Sequence, residues 1–299
     1  MQPLVSVRVA TYNHEKYIIQ CLEGILMQRT QFPFEVIIGE DCSTDRTREI
    51  VKEYQKKHPE IIRVITSEQN VGSMQNNLRI QAACRGQYHA YCEGDDYWID
   101  PLKLQKQVNF METHPDYVMC FHNVLVLSED KSEPASFICP PDLPRKITVI
   151  DLLQRQMFIQ TGSVLVRNPM LAVLPEWRSK VWCGDLVQRL WCTQQGPVGY
   201  LDELMSVYRK HSGGLTTTIY SDINRACNDA IYIYEQFNQY TDYQYNDLIL
   251  KNVKMKKRSI VFRKLKRSAP ILCFFVSPNR IIKKIFKECF KLLNVYNWQ

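Results

Sequence analysis

The sequence predicts an α/β fold, a mostly parallel sheet flanked by helices on both faces. Three observations predict it. Apolar stretches of strand length alternate four times with amphipathic stretches of helix length, the pattern of a parallel sheet built from strand–helix–strand units. Three polar loops, Thr11–His14, Glu40–Asp45 and Glu93–Asp96, each follow one of those strands, and so fall on the carboxyl edge, where such sheets bind ligands. A chain of 299 residues with 45% apolar and 23% charged residues can bury a large core.

The elements follow in order. Val5, Val7 and Val9 alternate with polar neighbours and predict a first strand over Leu4–Ala10. Tyr17, Ile18, Cys21, Leu22, Ile25 and Leu26 recur at helical spacing and predict a helix of about fourteen residues. Phe34–Gly39 is the second strand; Asp45 is placed to cap a helix that runs to His58, before Pro59. Ile61–Thr66 is the third strand, Asn70–Gly72 a turn, and Ser73 the cap of a helix ending at Cys84. The fourth strand, Gln87–Cys92, runs into the acidic loop, and Asp100-Pro101 starts a helix reaching His114. Beyond a strand at Tyr117–Leu127, the prolines of Ser128–Lys146 predict a long loop or flap over the site. A helix at Thr148–Gln156, a strand at Gly162–Arg167, a helix at Gly184–Gln194 and strand-like segments in Val198–Tyr208 complete a unit of residues 1–220. Residues 221–299 read as a helical, basic extension.

Composition narrows the chemistry. The eleven cysteines include no CxxC pair, which argues for a reducing cytosol and against a disulfide framework or zinc site. Leu4–Ala10 is interrupted by Arg8 and lacks a signal peptide's basic leader, and the apolar run Ala269–Val276 is too short to span a bilayer. No GxGxxG turn follows the first strand, which disfavours a dinucleotide oxidoreductase, and no loop pattern argues for a nucleic-acid partner. The net charge of +7 is uneven, since residues 251–299 carry fourteen Lys or Arg and one acid, leaving an acidic body. Three carboxylates within four residues, Glu93, Asp95 and Asp96, repel one another and suit a hard divalent ion; a solvated acidic turn is the alternative.

Taken together, Val-Ala-Thr-Tyr-Asn-His (9–14), Glu-Asp-Cys-Ser-Thr-Asp (40–45), Asn-Val-Gly (70–72) with Asn77, Glu-Gly-Asp-Asp-Tyr-Trp (93–98) and Gly-Asp-Leu (184–186) form a specific set. Over roughly residues 4–215 the chain resembles the family-2 inverting glycosyltransferases of the Rossmann-like GT-A fold, common in bacterial surface-polysaccharide synthesis. The resemblance implies a nucleotide-sugar donor held by Thr11, Tyr12, Asn13, Glu15, Asp41, Asn70, Gly72, Asn77, Glu93, Asp95 and His211. Tyr12 would stack on the base, unless it is a core aromatic, and Asp41 would accept from the uracil imide, unless it caps the next helix. The resemblance assigns Mg2+ or Mn2+ to Asp95 and Asp96, with Glu93 standing where the family has aspartate. It makes Asp185 the catalytic base, although Gly184 precedes it where an acid is usual and a helix cap is its alternative role. His211, in Tyr-Arg-Lys-His, is expected to bind donor or serve structurally.

The expected reaction is transfer from a UDP-sugar to a glycan or lipid-linked acceptor. GDP- or dTDP-sugars on the same scaffold, and an inactive membrane-peripheral scaffold protein, are the alternatives. In Arg280–Leu293 the apolar residues Ile281, Ile282, Ile285, Phe286, Cys289, Phe290 and Leu293 follow helical spacing among lysines. Such a helix suits an anionic membrane surface, which places the enzyme at the inner face of the cell membrane; packing on the catalytic domain is the other use of that face.

Overall fold

In a computed structural model the chain is described over residues 2–131, 133–155, 158–172, 174–214 and 222–268, with side chains to residue 263. The first half of the sheet is four parallel strands, β1 (Val5–Thr11), β2 (Phe34–Glu40), β3 (Ile62–Thr66) and β4 (Tyr88–Tyr91). They are joined by α1 (Ile18–Leu26), α2 (Thr47–Lys57) and α3 (Ser73–Ala83), as the alternation predicts. The second half is mixed. It contains β5 (Tyr97–Trp98), α4 (Lys103–Thr113), β6 (Met119–Ser128), β7 (Ser136–Phe137), β8 (Lys146–Ile147), α5 (Val149–Arg155), β9 (Leu165–Arg167), α6 (Gly184–Gln195) and β10 (Val198–Lys210). The strand order is β3-β2-β1-β4-β9-β6-β10-β5, with β7 on β6 and β8 on β10. Because β9 is antiparallel to both β4 and β6, and β10 is parallel to β6, the carboxyl ends of β1, β2, β4, β6 and β10 share one edge.

Alternation along the strands sorts the core into two layers. Val5, Val7, Val9, Tyr88, Ala90, Cys120 and Leu165 pack beneath α1 and α4. Their neighbours Tyr91, Met119, Phe121 and Val166 face the other way, toward α5, α6, α7 (Ile223–Tyr240) and α8 (Asn246–Ser268). Ile233, Tyr234, Phe237, Ile249 and Val253 belong to that same cluster, and Asn252 Nδ2 donates to the Leu153 carbonyl at 2.9 Å. The basic extension therefore begins inside the core of the catalytic unit. The expected boundary at 220 and the amphipathic segment 280–293 lie outside the described residues. No described helix is long and apolar enough to cross a membrane.

Several elements differ from expectation for local reasons. α1 has nine residues, not fourteen, because its expected first turn is tied to the next loop, Glu15 N donating to Asp45 Oδ2 at 3.0 Å. Arg46, not Asp45, holds the cap position of α2, and Asp45 supports the helix start from one residue earlier by accepting from Thr47 N at 2.9 Å. Ser73 makes no cap: Gly72 holds that position with φ 84°, which favours glycine, and its N–H is bound by Asp41 at 2.9 Å. The segment 128–146 is no free flap, since β7 and β8 pin it to β6 and β10. β10 is one strand of thirteen residues, with register shifts between Leu201 and Ser206.

Candidate active site

The acidic loop is a tight connection between β4 and β5, closed by Asp96 N donating to the Glu93 carbonyl at 2.9 Å. It lies directly on the first polar loop: a Cβ on Gly94 would come within 2.7 Å of Thr11 Oγ1 and His14 Nδ1, so only glycine permits the approach. Since β10 ends on this same edge, His211 arrives opposite the loop, its Nε2 3.0 Å from Asp95 Oδ2. His14 Nε2 stands 3.8 Å from the same oxygen.

The three carboxylates have three environments. Burial and the Asp95 charge push Glu93 up to about 7, with Asp185 adding to the rise and Arg8 opposing it. Burial would raise Asp95 too, but the His211 hydrogen bond and the charges of His14 and His211 hold it below the usual aspartate range. Asp96, 3% exposed, is pushed well above that range by burial and by Asp95. Its Oδ1 accepts from Arg209 N and its Oδ2 from Gln160 Nε2, both at 2.9 Å. Asp96 thus locks the loop to β10, and of the two expected metal ligands Asp95 is the one that stands against His211.

Asp185 opens α6 and reaches the same edge. Gln188, one turn later, donates to Tyr91 Oη at 2.8 Å, and Gly184 lies against Met74 in α3. Asp185 is close enough to Glu93 for its charge to raise that carboxyl. Its Oδ2 pairs with Arg189 at 2.7 Å while its side chain stays 37% exposed, and its Oδ1 accepts from Leu186 N. Asp185 is not the helix cap, since Cys183 holds that position without a side-chain bond, and its part-exposed carboxylate is open to an incoming hydroxyl.

The remaining expected donor residues form a strapped set of loops. Tyr12 is 40% exposed, so its ring is free to stack and is not a core aromatic. Thr11 is buried, with Oγ1 3.2 Å from His14 Nδ1. Asn13, at φ 55°, accepts from Thr44 N at 2.8 Å, and Glu15 accepts from Arg46 N at 3.1 Å, so both fasten the first loop to the second. Asp41 accepts from Val71 N, Gly72 N and Ser67 Oγ, which uses three of a carboxylate's roughly four acceptor sites and leaves one for a ligand. Asn70 accepts from Gly72 N at 2.9 Å, and the Asn77 carbonyl accepts from Arg8 Nη2 at 2.6 Å.

Sequence reasoning missed four contributors. His14 was within a quoted motif, and only the fold turns it toward Asp95. Arg209 donates from Nε to the Asp95 carbonyl at 2.9 Å and lies between the rings of Tyr17 and Tyr97, 4.8 and 5.0 Å from their centres. Tyr17 in turn donates to Glu129 at 2.8 Å, reaching the end of β6. Gln160 carries no local signal, because it meets Asp96 across 64 residues of chain.

Among the described residues no three His, Cys, Asp or Glu side chains enclose a common point. Asp95 and His211 could together supply one oxygen and one nitrogen ligand. This fits a hard divalent ion that takes its other ligands from phosphate and water, and a cation there would relieve the crowded charge that raises Glu93.

A mostly parallel sheet whose carboxyl edge gathers an acidic loop, a histidine from the last strand and a helix-borne aspartate has the architecture of GT-A glycosyltransferases. The chain belongs to glycosyl transferase family 2, whose pattern it matches over residues 6–169. It is 40% identical over 219 residues to an uncharacterized protein of Mycobacterium tuberculosis, covering 73% of this chain and 62% of that one. It is 35% identical over 130 residues to an uncharacterized glycosyltransferase of Methanocaldococcus jannaschii, covering 43% and 44% of the two chains. In fold it is similar to S. aureus TarS in complex with UDP-GlcNAc, with a TM-score of 0.68 at 19% identity over 93% of this chain and 76% of that one. A mannosyltransferase from Pyrobaculum calidifontis, in complex with GDP-Man and Mn2+, gives a TM-score of 0.62 at 12% identity over 100% and 83%.

Proposed function

We propose that the chain is a metal-dependent inverting glycosyltransferase that moves a sugar from a nucleotide-sugar, foremost a UDP-sugar, to a hydroxyl of a glycan or lipid-linked acceptor. The observation that carries this reading is the Asp95–His211 pair at the carboxyl edge, with Asp185 near enough to Glu93 for its charge to raise that carboxyl; we read the pair as the diphosphate side and Asp185 as the base. Asp185 takes the acceptor's hydroxyl proton as that oxygen attacks the anomeric carbon. The bond from that carbon to the diphosphate oxygen breaks, and its electron pair leaves with the nucleotide. The exposed flank of Asp185 then returns the proton to solvent. Asp95 and His211 are the residues that would hold Mg2+ or Mn2+, which when bound neutralises charge developing on the departing diphosphate. Tyr12 and the free acceptor site of Asp41 support recognition of a base with an imide N–H. Uracil and thymine share the imide, and guanine offers a ring N–H donor on the same edge, so the donor is chosen by experiment.

The test is a screen of UDP-, GDP- and dTDP-sugars with Mn2+, read by thermal shift and nucleotide release, on the wild type and Asp185→Asn. One donor series should stabilise both proteins, while Asp185→Asn loses about 10²–10⁴-fold in turnover. Normal turnover by the variant removes Asp185 from the chemistry. Stabilisation by no nucleotide-sugar favours the inactive scaffold. We further propose that the basic extension holds the protein at the cytoplasmic membrane surface, where lipid-linked acceptors lie.

A further inference from the structure

An arginine occupies the middle of β1, between Ser6 and Ala10 on the face opposite Val5, Val7 and Val9. Arg8 is 5% exposed and projects to the face covered by α3 and α6. Its Nη1 donates to Tyr91 Oη at 3.2 Å and its Nη2 to the Asn77 carbonyl at 2.6 Å, while its buried Nε has no partner. Arg178, from the short turn Glu176–Lys180, comes to the same place and donates from Nη2 to Gln81 Oε1 at 2.8 Å, one helical turn beyond Asn77. Burial and the neighbouring Arg8 charge hold Arg178 below its ordinary value. Tyr91 Oη also accepts from Gln188, which leads back along α6 to Asp185.

Two guanidiniums are thus gathered against neutral partners. Among the described residues neither forms an ion pair with a carboxylate, whereas Arg48, Arg85 and Arg189 each do. Glu93 lies just beyond Arg8, two residues past Tyr91, which pairs with Arg8 across β1 and β4. A guanidinium withdrawn from water without a counter-ion, as Arg8 is, is costly, the more so with the half-buried Arg178 near by, and an anionic ligand removes that cost.

We propose that Arg8 and Arg178 form a subsite for the carboxylate of an acidic sugar, a hexuronate, presented beside Glu93 and Asp185. The inference rests on the nucleotide-sugar reading above. A diphosphate would be held on the Asp95–His211 side of the edge, so an anion beneath Glu93 belongs to a sugar ring at the reaction centre. The guanidinium forks, with the side-chain amides of Gln81 and Gln188 near by, offer planar donors that match a carboxylate. That ring is either the donor's or the acceptor's.

Two arms separate these sources. In the first, binding and nucleotide release are compared for UDP-glucuronate against UDP-glucose, and for GDP-mannuronate against GDP-mannose, pairs that differ by carboxylate against hydroxymethyl. In the second, the neutral donors are offered oligosaccharide acceptors ending in a hexuronate or a hexose. The wild type should prefer the acidic partner by about tenfold or more in one arm, and that arm names the source. Arg178→Gln should erase the preference with UDP affinity unchanged, which also shows that the variant is folded, and Arg178→Lys should restore part of it. Neutral sugars handled as well as acidic ones in both arms, or a preference untouched in Arg178→Gln, would overturn the subsite. In that event the neutral nucleotide-sugars still bind. If none of the four donors binds, the nucleotide-sugar reading falls, and the subsite with it.

Discussion

At the scale of single residues, Glu93 feels the charges of both Asp95 and Asp185 and is only part-ionised near neutral pH. Its carboxyl is raised from 4.5 to about 7 by burial and the Asp95 charge. Between those values the folded chain keeps a proton that the unfolded chain has lost, so stability falls as pH rises through this window. The full loss above it is on the order of 3 kcal/mol. Urea melts in chelator at pH 5 and pH 8 should therefore lose stability across the window in the wild type and much less in Glu93→Gln. Adding Mn2+ with UDP at pH 8 should recover part of the loss in the wild type. Equal slopes in the two proteins would show that Glu93 is not the titrating group. The triplet of acids was legible in the sequence; the division of labour was not. Asp96 has the same side chain as Asp95 one position earlier, yet it points to β10 and Gln160, contacts made 113 and 64 residues away.

At the scale of elements, α4 carries a second buried charge. Lys103 is fully buried, donates to Gln107 Oε1 at 2.7 Å and stands 4.0 Å from the centre of the Trp98 ring. Burial lowers it from 10.5 to about 7. Here the unfolded chain binds the extra proton between those values, so stability rises with pH by at most about 1.4 kcal/mol per unit. Thermal melts from pH 7 to 9.5 should show this rise in the wild type and lose it in Lys103→Met; a rise retained by the variant would place it elsewhere. The alternation of apolar residues predicted the parallel half of the sheet closely because each of its first three strands is followed at once by a covering helix, α1 and α2 joining neighbouring strands and α3 crossing from β3 to β4 on the far side of β1. β5 was not legible, since its two residues owe their pairing to β10, distant in sequence. The strand expected at Gly162–Arg167 is present as the three residues of β9, its start being taken up by the turn Thr161–Ser163.

At the scale of the whole molecule, the basic extension has two parts. Its beginning, with Ile249 and Val253 buried, packs into the same core as α5 and α6, each side chain contributing about 1.5–3 kcal/mol. A truncation at Lys251 would cut through that packing and confound any binding assay. Removing residues 269–299 instead leaves α8 whole and deletes the lysine-rich amphipathic segment. The full chain should co-sediment with anionic vesicles at low salt and release as salt rises, while the truncated chain stays in solution. Equal behaviour of the two would assign the membrane role to neither part of the extension.

The sequence by itself determined the α/β class, the order of its first elements, the loops that crowd one edge and the family, because these depend on periodicity, turn residues and motif spacing that act within a few dozen residues. Tertiary structure alone decided which of those polar groups face the site and which are consumed as fasteners. Asn13 and Glu15 bond the neighbouring loop, Asn70 closes its own turn, Asp96 bonds β10, and His14, Arg209 and the Arg8–Arg178 pair come from separate strands and turns. The physical reason is that a carboxylate or guanidinium takes its role from the charges and donors within a few ångströms, and here those neighbours come from across the sheet.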